Sequence, residues 1–167
     1  MKRALAVSVA LALALPVLAR AQGKVDLSGT YTFDEGKSDP APAGRGGGGG
    51  GGGGRGGGGT ASKLVIKQTA NELTIERTLP NGAETLVYKL DGSESVNKVG
   101  MGEAKSKATW DGSNLVVSGQ QQLQTPNGTF DITTKDVYSL QGGVLTITTT
   151  RTTGRGDTTR KLVYTKG

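Results

Sequence analysis

From Ala61 onward, apolar and polar residues alternate in short runs rich in β-branched side chains: KLVIKQ, ELTIERT, ETLVYKL, KSKATW, NLVVSGQ, FDITTKDVYSL, VLTITTT and RKLVYTK. Period-two alternation of this kind predicts strands with one buried face. No stretch beyond the first 21 residues has the i, i+3, i+4 apolar spacing of a helix. Turn signals separate the runs, at TANE, LPNGA, LDGS, KVGMG, WDGSN, TPNGT, LQGGV and TGRGD. Asn-Gly, Asp-Gly and Gly-Gly supply the positive φ that tight hairpins require. Eight turns predict nine strands, the weakest of them at Ser93 to Lys98, and GKVDLSGTYTF before the glycine-rich tract predicts a tenth.

Sequential antiparallel strands in that number would expose two edges if the sheet stayed flat, and a sheet of that size curls or closes. The expected fold is therefore all-β, an antiparallel up-and-down barrel of about 8–10 strands, with a two-layer β-sandwich as the alternative. Leu73-Thr74-Ile75 followed by Arg77 and Leu86-Val87-Tyr88 is echoed by Leu145-Thr146-Ile147, Arg151 and Leu162-Val163-Tyr164. Either a duplicated hairpin or the common demands of hairpins would produce that echo.

The start of the chain has a different character. Lys2 and Arg3 precede an apolar run from Ala4 to Leu18, and Ala19-Arg20-Ala21 fits a small-residue cleavage site, so residues 1–21 are expected to be a signal peptide. The run is shorter than a membrane span needs, and Pro16 interrupts it. A periplasmic or secreted protein is expected, with no membrane span after cleavage. Cleavage would remove three basic residues and no acids, lowering the formal charge from +6 to +3. Residues 22–167 are expected to form a single domain, interrupted at about 34–60 by a disordered loop that contains GRGGGGGGGGGRGGGGT. Two arginines without an interleaved aromatic give little stacking or charge, so no nucleic-acid role is expected for it. Its position between the first two strands would make it a floppy lid across a barrel mouth.

Several short motifs resemble known barrels. Leu27-Ser28-Gly29-Thr30-Tyr31 resembles the G-x-W start of lipocalins and fatty-acid-binding proteins, Trp110-Asp111-Gly112-Ser113-Asn114-Leu115 resembles their later hairpins, and Leu162-Val163-Tyr164-Thr165-Lys166 is similar to the last strand of the fatty-acid-binding branch. LSGTYTFDEGKSD also resembles small exported bacterial proteins of lipocalin-like, calycin type. The resemblance implies a barrel that holds a small hydrophobic ligand. Tyr31 replaces the expected tryptophan, while Leu162 and Tyr138 stand where the ligand arginines would be, so the carboxylate clamp of that branch does not transfer.

The chain has no histidine and no cysteine, which removes the commonest general base, the usual zinc ligands and the Ser-His and Cys-His systems. No enzyme activity, cofactor or metal is expected. A hydrolytic reading would need a lone carboxylate, such as Asp136, tuned by burial. The tripeptide Arg155-Gly156-Asp157, the run Asp91-Gly92-Ser93-Glu94 and the sequon Asn127-Gly128-Thr129 all fall where a turn is required.

If the more apolar side of each strand faces inward, the interior holds Tyr31, Phe33, Tyr88, Trp110, Phe130, Tyr138 and Tyr164. The same parity turns Arg77, Asp136, Arg151 and Arg160 inward. Buried charges need partners. The arginines could grip an anionic ligand, or could lie near strand ends, solvated or paired with Asp136. The aromatics could line a pocket or fill the barrel. Two functions are compatible with these residues. One is an exported, non-catalytic binding protein for a small hydrophobic, amphipathic or anionic molecule. The other is a structural or interaction protein of the cell envelope with a filled barrel, no ligand and an unknown protein partner.

Overall fold

A computed structural model describes residues 23–41, 59–100, 102–125 and 128–167. The expected signal peptide and residues 42–58 of the glycine-rich segment lie outside the described residues. The chain forms β1 (Gly29–Phe33), a 3-10 turn (Glu35–Lys37), β2 (Lys63–Gln68), β3 (Glu72–Leu79), β4 (Gly82–Lys89), β5 (Glu94–Val99), β6 (Gly102–Asp111), β7 (Asn114–Thr125), β8 (Gly128–Gln141), β9 (Val144–Thr153) and β10 (Gly156–Lys166). No helix among the described residues is long and apolar enough to cross a membrane.

Every strand pairs antiparallel with its sequence neighbour except across the β4–β5 turn. β1 also pairs with β10, giving the order β4-β3-β2-β1-β10-β9-β8-β7-β6-β5. This is the expected up-and-down barrel rather than a sandwich. Tight turns set the register: Gly112, between β6 and β7, has φ 60°, and Gly142 and Gly143, between β8 and β9, have φ 56° and 78°. Those left-handed conformations cost glycine nothing and strain other residues.

Closure is less complete than the expected edgeless barrel. β4 and β5 lie side by side without a backbone ladder, and the side chains of β5 bridge the seam. Asn97 Nδ2 donates to the Val87 carbonyl at 2.9 Å and its Oδ1 accepts from the Val87 amide at 2.7 Å, so the side-chain amide replaces a peptide group. Ser95 Oγ accepts from the Lys89 amide at 2.9 Å, and Glu84 Oε1 accepts from the Gly100 amide at 3.2 Å. Ser95 and Asn97 are buried, and these contacts satisfy backbone groups that would otherwise be stranded.

Alternate turns gather at the two ends of the barrel. One end, the floor, carries the turns that open at Thr69, Leu90, Gly112 and Gly142. There the fully buried Leu27 receives a hydrogen bond at its carbonyl from the Tyr31 hydroxyl at 2.9 Å, and Gln68 bonds both the Leu27 amide and the Val25 carbonyl. Lys166 Nζ donates to the Ser28 carbonyl at 2.9 Å. The other end, the mouth, carries the remaining turns and the β1–β2 connection.

Order extends further into that connection than its composition suggested. β1 stops at Phe33, which leaves the β10 backbone at Lys161 and Val163 without partners on its β1 side, and residues 34–39 take up those groups. The Asp34 and Asp39 amides donate to the Val163 and Lys161 carbonyls at 2.8 Å. In return the Val163 amide donates to Ser38 Oγ, and the Lys161 amide to Asp39 Oδ2.

Candidate ligand site

Cross-strand registers divide the inward face into rows. Trp110, Leu115, Tyr138, Ile147 and Leu162 form one row near the floor; Ala108, Val117, Asp136, Thr149 and Arg160 form the next toward the mouth; Ser106, Gly119, Thr134 and Arg151 follow. On the facing wall, Leu73 sits opposite Tyr88, Ile75 opposite Leu86, and Arg77 opposite Glu84. Both walls therefore change from apolar to polar between floor and mouth. Leu64, Ile66, Leu73, Ile75, Leu115 and Leu145 are almost completely closed off.

The polar half is organised by an ion pair. Arg77 Nη2 bonds Glu84 Oε2, with both side chains largely buried. Burial opposes the Arg77 charge, but the Glu84 carboxylate outweighs it and holds the guanidinium firmly protonated. β3 and β8 are five places apart in a ten-strand order, so they form opposite walls, and Arg77 is close enough to Asp136 and Tyr138 for their charges to couple across the interior. Burial pushes the Asp136 carboxyl above its ordinary range, while the Thr149 hydroxyl and Arg77 partly offset the shift. Burial likewise raises the Tyr88 and Tyr138 hydroxyls well above 10, and takes Tyr164 up to about 12.

Three polar atoms here are shut off from solvent and have no hydrogen-bond partner: Arg77 Nε, Asp136 Oδ1 and Trp110 Nε1. Such atoms cost free energy unless something else satisfies them. At the mouth, a hollow of about 340 Å³ is lined by residues that include Leu79, Glu84, Thr85, Lys98 and Gly100. Glu84 lies between this hollow and the interior, with one oxygen on Arg77 and the other on the Gly100 amide. A second hollow of about 320 Å³, at Ser139, Gln141, Val144 and Thr146, is on the outer face of β8 and β9.

Of the residues singled out in the sequence, Arg77, Tyr88, Asp136 and Tyr138 meet in this cluster, and Tyr164 couples to Arg77 from β10. Trp110 is half-buried in the row below, and Arg151 half-buried in the row above Asp136. Tyr31 and Phe33 are packing residues. Tyr31 is spent on Leu27, and Phe33 packs edge-on against Tyr164 at a centroid distance of 5.5 Å.

Two expectations are corrected. Phe130 has the inward parity but is 50% exposed, because it sits near the tip of the long β7–β8 hairpin, beyond the reach of β9, whose pairing with β8 begins at Thr133. Arg160 does not serve the interior or pair with Asp136. Its guanidinium holds the Asp39 carbonyl at 3.2 Å through Nε and Nη2, and Thr60 Oγ1 at 2.8 Å, clasping both flanks of the glycine-rich segment. Glu84 was the residue missed. It stands two positions before Leu86, so the alternation that turned Arg77 inward carried it too.

No family model matches the sequence, and no curated protein does. Among solved structures, the REP1-NXSQ fatty acid transporter aligns over 85% of this chain and 96% of its own, at a TM-score of 0.51 and 10% identity. Zebrafish ileal bile acid-binding protein, solved with cholic acid, reaches a TM-score of 0.46 at 19% identity over 63% of this chain and 72% of its own. Apo lipid binding protein 8 of Caenorhabditis elegans reaches 0.46 at 14% identity over 63% and 70%. With ten sequential strands closed through β1 and one unladdered seam between β4 and β5, the chain has the calycin-type β-barrel fold, to which fatty-acid-binding and lipocalin-like proteins belong.

Proposed function

We propose that this protein is an exported, non-catalytic barrel that holds a small amphipathic molecule in its interior. The observation that carries the reading is the set of buried, unpartnered polar atoms on the inward face, Arg77 Nε and Asp136 Oδ1, above an apolar floor. A fold that only needed a filled core would place apolar side chains there, since a half-satisfied polar cluster is less favourable than an apolar one. An interior graded from apolar to polar matches a molecule with a hydrocarbon body and a hydrogen-bonding end. The fatty acid transporter whose barrel aligns over 85% of this chain is consistent with that class of ligand. Export rests on the leader-like residues 1–21, and N-terminal sequencing of the protein from its host should find the chain beginning at Gln22.

Native mass spectrometry of the protein purified from its own host tests the binding reading. A discrete added mass, lost on extraction with organic solvent, is the expected result. A bare chain that also fails to take up an environment-sensitive apolar dye would overturn it. One observation favours a second reading, a filled barrel of the envelope that works through its surface: neither hollow lies within the barrel interior. Crosslinking in intact cells would then trap one defined protein partner, and the purified chain would stay empty.

A further inference from the structure

The polar cluster also indicates the chemistry of the ligand's head. This step rests on the binding reading above. An arginine inside a barrel ordinarily invites an anion, because its fork matches a carboxylate. Here one arm of that fork is already engaged and its charge balanced, since Glu84 on the adjacent strand takes Arg77 Nη2. Shut off from solvent and still open are one N–H donor, Arg77 Nε, and one acceptor on the opposite wall, Asp136 Oδ1. An incoming carboxylate could accept from Nε but would bring a second negative charge beside Glu84, whose own charge Arg77 already balances. A group that is uncharged, and both accepts and donates, meets the two open positions together.

We infer that the barrel selects amphipathic molecules with a neutral donor–acceptor headgroup, a primary amide or an alcohol, against the corresponding carboxylates. The amide carbonyl accepts from Arg77 Nε while its N–H donates to Asp136 Oδ1, and an alcohol does the same with one oxygen. Two buried orphan atoms become satisfied, and no charge is buried. Glu84 acts as the selectivity element: it is anchored from the other side by the Gly100 amide and lies in the lining of the mouth hollow, between solvent and Arg77. Burial also keeps Asp136 toward its neutral form. As a protonated carboxyl it still presents both a donor and an acceptor to the same headgroups.

The test is a matched series of decanamide, 1-decanol and decanoate titrated into the full mature protein at pH 7.5, with binding read by calorimetry. Decanamide and decanol should each bind at least tenfold more tightly than decanoate. Glu84→Gln, which frees Arg77 Nη2, should strengthen decanoate at least tenfold and so narrow its gap to decanamide. Decanoate binding the unaltered protein as tightly as decanamide would overturn the headgroup assignment and leave the binding reading standing. No heat and no bound mass with any of the three, in a protein that is folded by circular dichroism, would overturn both. If Glu84→Gln does not fold, the ranking of the three compounds on the unaltered chain decides alone.

Discussion

At the scale of single residues, one carboxylate and one arginine set the behaviour of the interior. Removing Glu84 leaves the Arg77 guanidinium buried against Asp136, Tyr88 and Tyr138 without its closest partner. Breaking a fully buried pair from one side costs about 3–5 kcal/mol, and this pair is partly open at the mouth. Glu84→Ala should therefore lower the unfolding free energy by about 2 kcal/mol, measured by urea denaturation. Asp136 predicts a pH effect of defined sign. Burial favours its neutral form, so between the ordinary value of 3.8 and the raised folded value the folded chain binds a proton that the unfolded chain has released. Its contribution to stability falls as pH rises through that window and is constant above it. Asp136→Asn should therefore be more stable than the unaltered protein at pH 7, with the difference shrinking to nothing below about pH 3. Alternation alone placed Arg77, Asp136, Tyr88 and Tyr138 on the inward face. It could not show that β3 and β8 oppose each other, nor that Arg77 had a neighbour already committed to it, because both facts depend on which strands meet.

At the scale of elements, the β4–β5 seam is where the barrel departs from a simple ladder. Five of the eight turns were legible in Asn-Gly, Asp-Gly or Gly-Gly pairs and the other three in Asn71, Gly100 and Gly154, and the ten strands followed. Ser93 to Lys98 was the weakest of them for a physical reason that the structure makes plain: its inward positions are Ser95 and Asn97, chosen to bond the β4 backbone rather than to fill a core. A polar inward face does not register as a strand pattern. Asn97→Leu keeps the volume but strands the Val87 amide and carbonyl, at about 1–3 kcal/mol for each buried group left unsatisfied. Hydrogen exchange should show the Val87 and Lys89 amides losing protection by more than tenfold, while amides in the β8–β9 ladder keep theirs. Equal loss at both places would mean that the seam is not an independent weak line.

At the scale of the whole molecule, the glycine-rich segment enters and leaves the barrel at one side chain. Composition predicted disorder from about Asp34, yet residues 34–39 dock on β10 because β1 ends too early to cover it as far as Lys161. Only the pairing of β1 with β10 reveals that need. Arg160 then ties Asp39 to Thr60, so Arg160→Ala should cost about 1–2 kcal/mol through lost charged hydrogen bonds, seen as a lower thermal midpoint. Deleting Gly46–Gly54 should by contrast change the unfolding free energy by less than about 1 kcal/mol, because the cost of closing a loop varies only as the logarithm of its length. The clasp thus makes the tract's length a nearly free variable. Each doubling of the chain between fixed ends costs about 0.6 kcal/mol, so runs of repeated glycine codons could expand or contract between related genes without disturbing the barrel. Selection would act on the arginine that holds the ends and leave the number of glycines to drift.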